Sequence, residues 1–249
     1  MNCQRLLGLL SISIFLSTVL LAGFRTAGQP RSNGPSDKTA IIVNPFEWQY
    51  EFSNVTLNAV QNYLTEAGYN ITLIANNSMV SIDFLKSNLI HGVIYWRGHG
   101  GMISRDFALV TGEEFDETKH RDLKGTGRLA KATIKLENGT TKDYFAVRSA
   151  FIDYYYRNHT FPNTLVYVQS CFSATTDLMA NAFLNNGAGA YVGFKSFATA
   201  GSSWYNYYQS DKKSEYLFYD LCIRGRDVRE SILSLGTVFS FDIGGYAFN

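Results

Sequence analysis

Two side chains suited to nucleophilic chemistry stand in matching positions along this chain. The apolar run Leu165-Val-Tyr-Val168 stops at Gln169-Ser170-Cys171, and the run Val93-Ile-Tyr-Trp96 stops at Arg97-Gly98-His99-Gly100. In a parallel α/β sheet, residues just beyond the C-terminal ends of strands line the crevice where ligands bind. A thiol there can act as nucleophile, and an imidazole at the end of a parallel strand can take its proton. The glycines around His99 permit a tight turn and close approach of a substrate to the backbone.

Chain order excludes several other constellations. The four histidines, His91, His99, His120 and His159, all precede Cys171. A papain-like arrangement needs its histidine after the cysteine. An α/β-hydrolase needs a Gly-x-Ser-x-Gly elbow followed by its histidine, and neither is present. Zinc is poorly served, since there is no Cys-x-x-Cys and His91 and His99 lie at opposite ends of one strand. No metal ligand is assigned, and His91, His120 and His159 read as surface or loop residues.

The elements that must position the pair alternate between strand and helix. TAIIVN, NITLIA, GVIYW, TLVYV and GAYVGF read as short buried strands. NVTLNAVQNYLTEAGY spaces Leu57, Val60 and Leu64 at helical intervals and ends at Gly68, and SIDFLKSNL is a short helix capped by Ser81. The pattern predicts an α/β fold with a mostly parallel sheet covered on both faces. ATIKL, the Asn138-Gly139 turn and DYFAV read as a β-hairpin inserted in it, followed by a helical RSAFIDYYYRNH. Two helices over residues 214–223 and 228–235 close the domain, with Tyr216, Leu217, Tyr219 and Leu221 on the buried side of the first. The tail TVFSFDIGGYAFN is read as a final strand.

Residues 6–24 form an uncharged apolar run long enough for a membrane span, and a polar Gly/Pro/Ser-containing linker follows it. It reads equally as a cleaved signal peptide or as an N-terminal membrane anchor, so the folded domain is 38–249. Five glycosylation tripeptides, beginning at Asn54, Asn70, Asn76, Asn138 and Asn158, favour a secreted or anchored glycoprotein with its domain outside the cytoplasm. A chain of 249 residues, 46% hydrophobic and 17% charged with a net charge of +1, can build a full core and carries no polyanion-binding bias, so nucleic acid is not a partner. Cys3 precedes the apolar run, leaving Cys171 and Cys222 in the domain. Those two either pair as a disulfide or serve separately, Cys222 then as a small core hydrophobe.

Tyr95-Trp-Arg-Gly-His-Gly-Gly101 together with Val166-Tyr-Val-Gln-Ser-Cys-Phe-Ser-Ala174 resembles the caspase-like cysteine peptidases: caspases, metacaspases, legumains and gingipains. Metacaspases carry Ser-Gly-His-Gly and Asp-Ser-Cys-x-Ser-Gly where this chain has Arg97-Gly98-His99-Gly100 and Gln169-Ser170-Cys171-Phe172-Ser173-Ala174. The resemblance implies a caspase-like three-layer fold and a cysteine endopeptidase that takes a peptide or protein substrate and needs no cofactor. Cys171 would be the nucleophile and His99 the proton shuttle, without an orienting third residue. The backbone N–H groups of Gly100 and Cys171 would form the oxyanion hole, and a side chain at position 100 would obstruct it.

Departures accompany the likeness. Seventy-two positions separate His99 from Cys171, against roughly 50 in caspases, and the inserted hairpin would account for the excess. Gln169 stands where metacaspases have an Asp lining a pocket for basic side chains. Caspases also have Gln there, with arginines added, for which Arg97 is the one candidate. Ser203-Trp204-Tyr205 is similar to the caspase substrate strand and, with Gln169, is assigned to substrate binding. The aromatic loop 197–208 would wall the cleft. The acidic run 112–117 could bind calcium, as in some metacaspases, though a solvated acidic loop is the plainer reading; the basic, loop-like run 119–131 could be a processing site, though an exposed run is the plainer reading. The competing function is an inactive caspase-like domain that binds peptides or partner proteins through the same cleft.

Overall fold

The computed structural model describes residues 34–49, 54–136, 138–195, 204–233, 235 and 238–242. The apolar run 6–24, the linker up to residue 33, and Ser203 with most of the aromatic loop lie outside these residues. In chain order the strands are β1 Thr39–Asn44, β2 Asn70–Asn76, β3 Val93–Arg97, β4 Gly100–Ile103, β5 Asp106–Glu114, β6 Leu129–Lys135, β7 Thr141–Arg148, β8 Leu165–Gln169, β9 Ala190–Phe194 and β10 Val238–Asp242. The helices are α1 Asn54–Glu66, α2 Ile82–Leu85, α3 Ser149–Tyr155, α4 Leu178–Leu184, α5 Trp204–Cys222 and α6 Val228–Ile232.

Six strands form the main sheet in the order β10-β9-β8-β3-β1-β2, all parallel except β10 at the edge. Every residue of β3 and β8 is buried, as central strands covered on both faces require. Alternate side chains divide between the faces. Ile41, Val43, Ile94, Trp96, Val166 and Val168 pack with Ile82 and Leu85 of α2, Phe151 and Ile152 of α3, and Met179 and Phe183 of α4. Ala40, Ile42, Val93, Tyr95, Leu165 and Tyr167 pack with Leu57, Val60 and Leu64 of α1, and Leu217, Phe218 and Leu221 of α5. Each large apolar side chain buried this way contributes about 1.5–3 kcal/mol.

Local signals set several boundaries. The Ser81 hydroxyl accepts from the Phe84 N–H and caps α2, and Gly68 ends α1 at a φ of +81°, a conformation glycine adopts without penalty. Asp227 and Glu230 form a reciprocal capping box that starts α6.

The hairpin is present as β6 and β7, joined through Gly139 at φ +84°. It is not a lone insertion, however. β4 and β5 extend it into a four-stranded antiparallel sheet, β4-β5-β7-β6. Phe107, Leu109, Phe145 and Val147 on one side of this sheet join the core under the parallel sheet. The acidic run is accordingly no free loop: Gly112–Glu114 completes β5, and Glu113 accepts from the Ile82 N–H at 2.9 Å and binds His120 at 3.0 Å.

Further expectations need correction. α5 begins at Trp204, so 204–208 are helical rather than a loop, and the helix starts ten residues before position 214. Its phase also differs: Tyr216 is 60% exposed, while Ser214, Leu217, Phe218 and Leu221 face inward. α6 stops at Ile232, short of 235. His91 and His120 lie in loops, as expected, though His120 packs against Phe145 and His91 is held by the Thr39 hydroxyl at 3.0 Å. His159 is exposed in a turn, as expected.

Candidate active site

β1 leads through α1 to β2 on one side, whereas β3 and the later strands lie on the other side of β1. The chain therefore reverses direction between β1 and β3, and crevices at the C-terminal end of such a switch are where α/β sheets bind ligands. β3 and β8 are adjacent and parallel, with Arg97 opposite Gln169. His99 and Cys171 each stand two residues past that pair. The Gly98 N–H donates to the Gln169 carbonyl at 3.2 Å, so the two strand ends stay joined into their turns.

The turn carrying Cys171 is unusually fixed. Phe172 holds a φ of +63°, a left-handed conformation that costs a non-glycine residue about 1–3 kcal/mol and persists only where surroundings enforce it. Ser173, fully buried, supplies that enforcement: its hydroxyl lies 2.9 Å from the carbonyls of Val168 and Ser170 and accepts from the Phe194 N–H at 2.9 Å. The Tyr191 hydroxyl donates to the Ser173 carbonyl at 2.9 Å. A Cβ at Gly193 would fall 2.7 Å from the Ser173 hydroxyl, so glycine lets β9 approach.

His99 is held from the other side. Its Nε2 lies 2.5 Å from Oε1 of Gln49, in the segment that follows β1. A carbonyl oxygen can only accept, so Nε2 carries the proton and Nδ1 is left as the basic nitrogen. Phe46, fully buried, stands edge-on to the imidazole at 4.9 Å between ring centres. Burial pushes the His99 imidazole down to about 4, so it is neutral at neutral pH. An orienting third residue was not expected, and its only sequence signal is its place after the strand that neighbours β3.

Gly100 also has a reason beyond the expected one. A Cβ there would stand 2.4 Å from Ser170 Oγ and 2.6 Å from the Phe107 ring. Glycine is required because the strand after His99 packs directly on the turn bearing Cys171.

Beneath the turns lies a buried polar network. Asp211 of α5 accepts from Arg97 Nη2 at 3.2 Å and from Gln169 Nε2 at 2.7 Å, while Gln169 Oε1 accepts from the Tyr95 hydroxyl at 2.5 Å. Gln169 Nε2 also reaches the Ser210 hydroxyl at 3.0 Å. One carboxylate thus ties the residues two before His99 and two before Cys171. Gln169, assigned to substrate from the sequence, has its amide engaged here and is 6% exposed. Trp204 and Tyr205 open α5 and Ser203 lies outside the described residues. Asp211 had no signal in the sequence, being 42 residues from Gln169.

Cys171 and Cys222 are not joined in a disulfide. Cys222 is 7% exposed and packs among the side chains that cover the face with α1 and α5. Burial pushes its thiol up to about 12, with the Lys38 charge opposing. Lys38 and Tyr69, beside it, precede β1 and β2, so Cys222 sits at the N-terminal edge of the sheet. A five-residue strand spans about 17 Å, which separates it from Cys171 by far more than a disulfide bridges.

Among the described residues, no group of three or more His, Cys, Asp or Glu could hold a metal ion, and no helix is long and apolar enough to cross a membrane. No family model, no curated protein and no solved structure matches the chain.

Proposed function

We propose that the protein is a cysteine endopeptidase of caspase-like fold, with Cys171 as nucleophile and His99 as general base and then acid. One observation carries the reading: parallel, in-register neighbours β3 and β8 bring His99 and Cys171 to equivalent positions past the C-terminal edge, one strand from the switch between β1 and β3.

The reading implies the following chemistry. Cys171 Sγ attacks the carbonyl carbon of a peptide bond as Nδ1 of His99 takes the thiol proton, forming a C–S bond and a tetrahedral oxyanion. The backbone N–H groups of Gly100 and Cys171 stabilise that oxyanion, each worth about 3 kcal/mol. The imidazolium then gives its proton to the leaving amine as the C–N bond breaks. Water, deprotonated by His99, hydrolyses the acyl-enzyme and restores the thiol. Gln49 fixes the productive tautomer throughout.

The test is labelling with a trace of iodoacetamide at pH 7, mapped by peptide analysis. We expect Cys171 to label far ahead of Cys222 and His99→Ala to slow it by about 10²–10⁴-fold. Equal rates in the two chains, both folded, would sink the reading and leave the cleft to a protein that binds peptides without cutting them.

A further inference from the structure

The antiparallel sheet ends at β4, and its register determines what that edge offers. Gly100 stands opposite Leu109 and Met102 opposite Phe107, while the Val110 N–H donates to the His99 carbonyl at 3.0 Å. That bond makes Gly100–Leu109 a pair without mutual hydrogen bonds, and Met102–Phe107 is the next of the same kind, because the two kinds alternate along an antiparallel ladder. The N–H and C=O of both Gly100 and Met102 therefore point away from β5, to the open side of the sheet. Among the described residues no hydrogen bond reaches these outward groups.

Sheet edges that must stay unpaired often carry charges, prolines or bulges; β4, four residues long, reads Gly-Gly-Met-Ile with neither charge nor proline and is half-buried along its length. A methyl placed at Gly101 would meet nothing within 4 Å. At its first residue the strand packs on the Ser170-Cys171 turn, so the edge is continuous with the candidate nucleophile.

We infer that β4 is a docking edge on which an extended polypeptide adds as a further strand, its reacting carbonyl at the Gly100 N–H and its next pairing residue at Met102. The cleavage half of this rests on the peptidase reading; the pairing does not. An extended main chain is the ligand whose chemistry fits, because its alternate residues present N–H and C=O about 6.6–6.8 Å apart, the spacing from Gly100 to Met102. Such β-augmentation draws affinity from the main chain and little from side chains. The substrates are accordingly unfolded or loop segments, and a proline or N-methylated residue opposite Met102 is excluded.

Met102→Pro in the full chain removes the outward N–H and spares the β4–β5 ladder, since proline is tolerated where the lost N–H faces outward from an edge. Met102→Ala controls for lost packing. The probe is an equimolar mixture of proline-free fluorescent dodecapeptides, read as hydrolysis by the intact nucleophile and as binding to the Cys171→Ala chain. We expect Met102→Pro to weaken both by about tenfold relative to Met102→Ala, the scale of one net hydrogen bond. Alkylation of Cys171, which needs no strand pairing, reports on the dyad separately. Peptides bound but not cut, with binding lost in Met102→Pro, support the edge while removing the peptidase. Equal hydrolysis and binding by the proline and alanine variants, or no binding at all, overturns the edge. A concentration-dependent dimer abolished by Met102→Pro with peptide binding intact also overturns it, in favour of pairing between copies. Should the proline variant not fold, an N-methyl scan of one bound peptide replaces it: loss at a single position supports the edge, and uniform tolerance overturns it.

Discussion

Cys171 and Cys222 are the same side chain at opposite edges of one sheet, and almost everything about them differs. Around Cys222 the edge is closed by the chain itself. The segment 34–38 runs across it, with the Ser36 N–H donating to Pro162 at 3.0 Å and the Asn70 N–H to Lys38 at 2.8 Å. Gly92 is crowded so closely by Asp37 that no side chain fits there. Around Cys171 the strands end in turns held by side chains: Asp211 on Arg97 and Gln169, Ser173 under the cysteine, Gln49 on the histidine. Cys222 is packed in the core, whereas Cys171 stands at the crevice on which the peptidase proposal rests.

Breaking the side-chain support should have the largest effect. The Arg97–Asp211 pair is nearly enclosed, its side chains 3% and 9% exposed. Removing one partner of such a pair leaves an uncompensated buried charge, at a cost of about 3–5 kcal/mol. We expect Asp211→Ala to lose that much in urea unfolding, and to slow Cys171 alkylation in the fraction that stays folded. Cys222→Ala, at the other edge, should lose about 1 kcal/mol, an ordinary core truncation. A cost below 1 kcal/mol for Asp211→Ala would mean that the network supports nothing.

Acid should separate the edges next. His99 is held at about 4, below its ordinary 6.5, by burial. A base with a lowered folded pKa binds fewer protons folded than unfolded, so its contribution is complete above pH 6.5 and declines as pH falls through 6.5 toward 4. The loss is about 2–3 kcal/mol. His91, at the N-terminal end of the same strand, is also lowered by burial, with Asp37 opposing, and its contribution has the same sign but is smaller. His99→Gln should therefore flatten the stability profile between pH 4 and 6.5 more than His91→Gln. Equal flattening would contradict the asymmetry.

The parallel sheet was legible because β3 and β8 are uninterrupted apolar runs, and burial on both faces leaves no other way to write them. The pair His99 and Cys171 was legible for the same reason, since each follows such a run directly. β4 and β5 were not. Gly100-Gly-Met-Ile103 reads as turn chemistry, and Glu113 and Glu114 as solvated charge, until the pairing with β7 and the cap on α2 supply partners. The start of α5 was hidden by its aromatic and Gly/Ser-flanked sequence, and its phase was misread because Tyr216 counts as apolar while standing in water. Asp211 and Gln49 are legible only through contacts between distant segments, which no local pattern carries.

The finest comparison lies between two neighbouring glycines of β4, identical in sequence and opposite in surroundings. A methyl at Gly100 would meet Ser170 Oγ at 2.4 Å and the Phe107 ring at 2.6 Å, whereas at Gly101 it meets nothing within 4 Å. Overpacking of the first kind costs about 1–3 kcal/mol, and Ser170, one of the two residues displaced, belongs to the turn that carries Cys171. Gly100→Ala should thus lower both the unfolding free energy and the alkylation rate of Cys171. Gly101→Ala should change stability by less than about 0.5 kcal/mol, as a substitution without steric consequence does, and leave alkylation as it was. If both variants behaved alike, β4 would not be packed on the Cys171 turn, and the oxyanion role proposed for the Gly100 N–H would fall with it. If they diverge in stability but not in alkylation, the contact supports the fold without shaping the site.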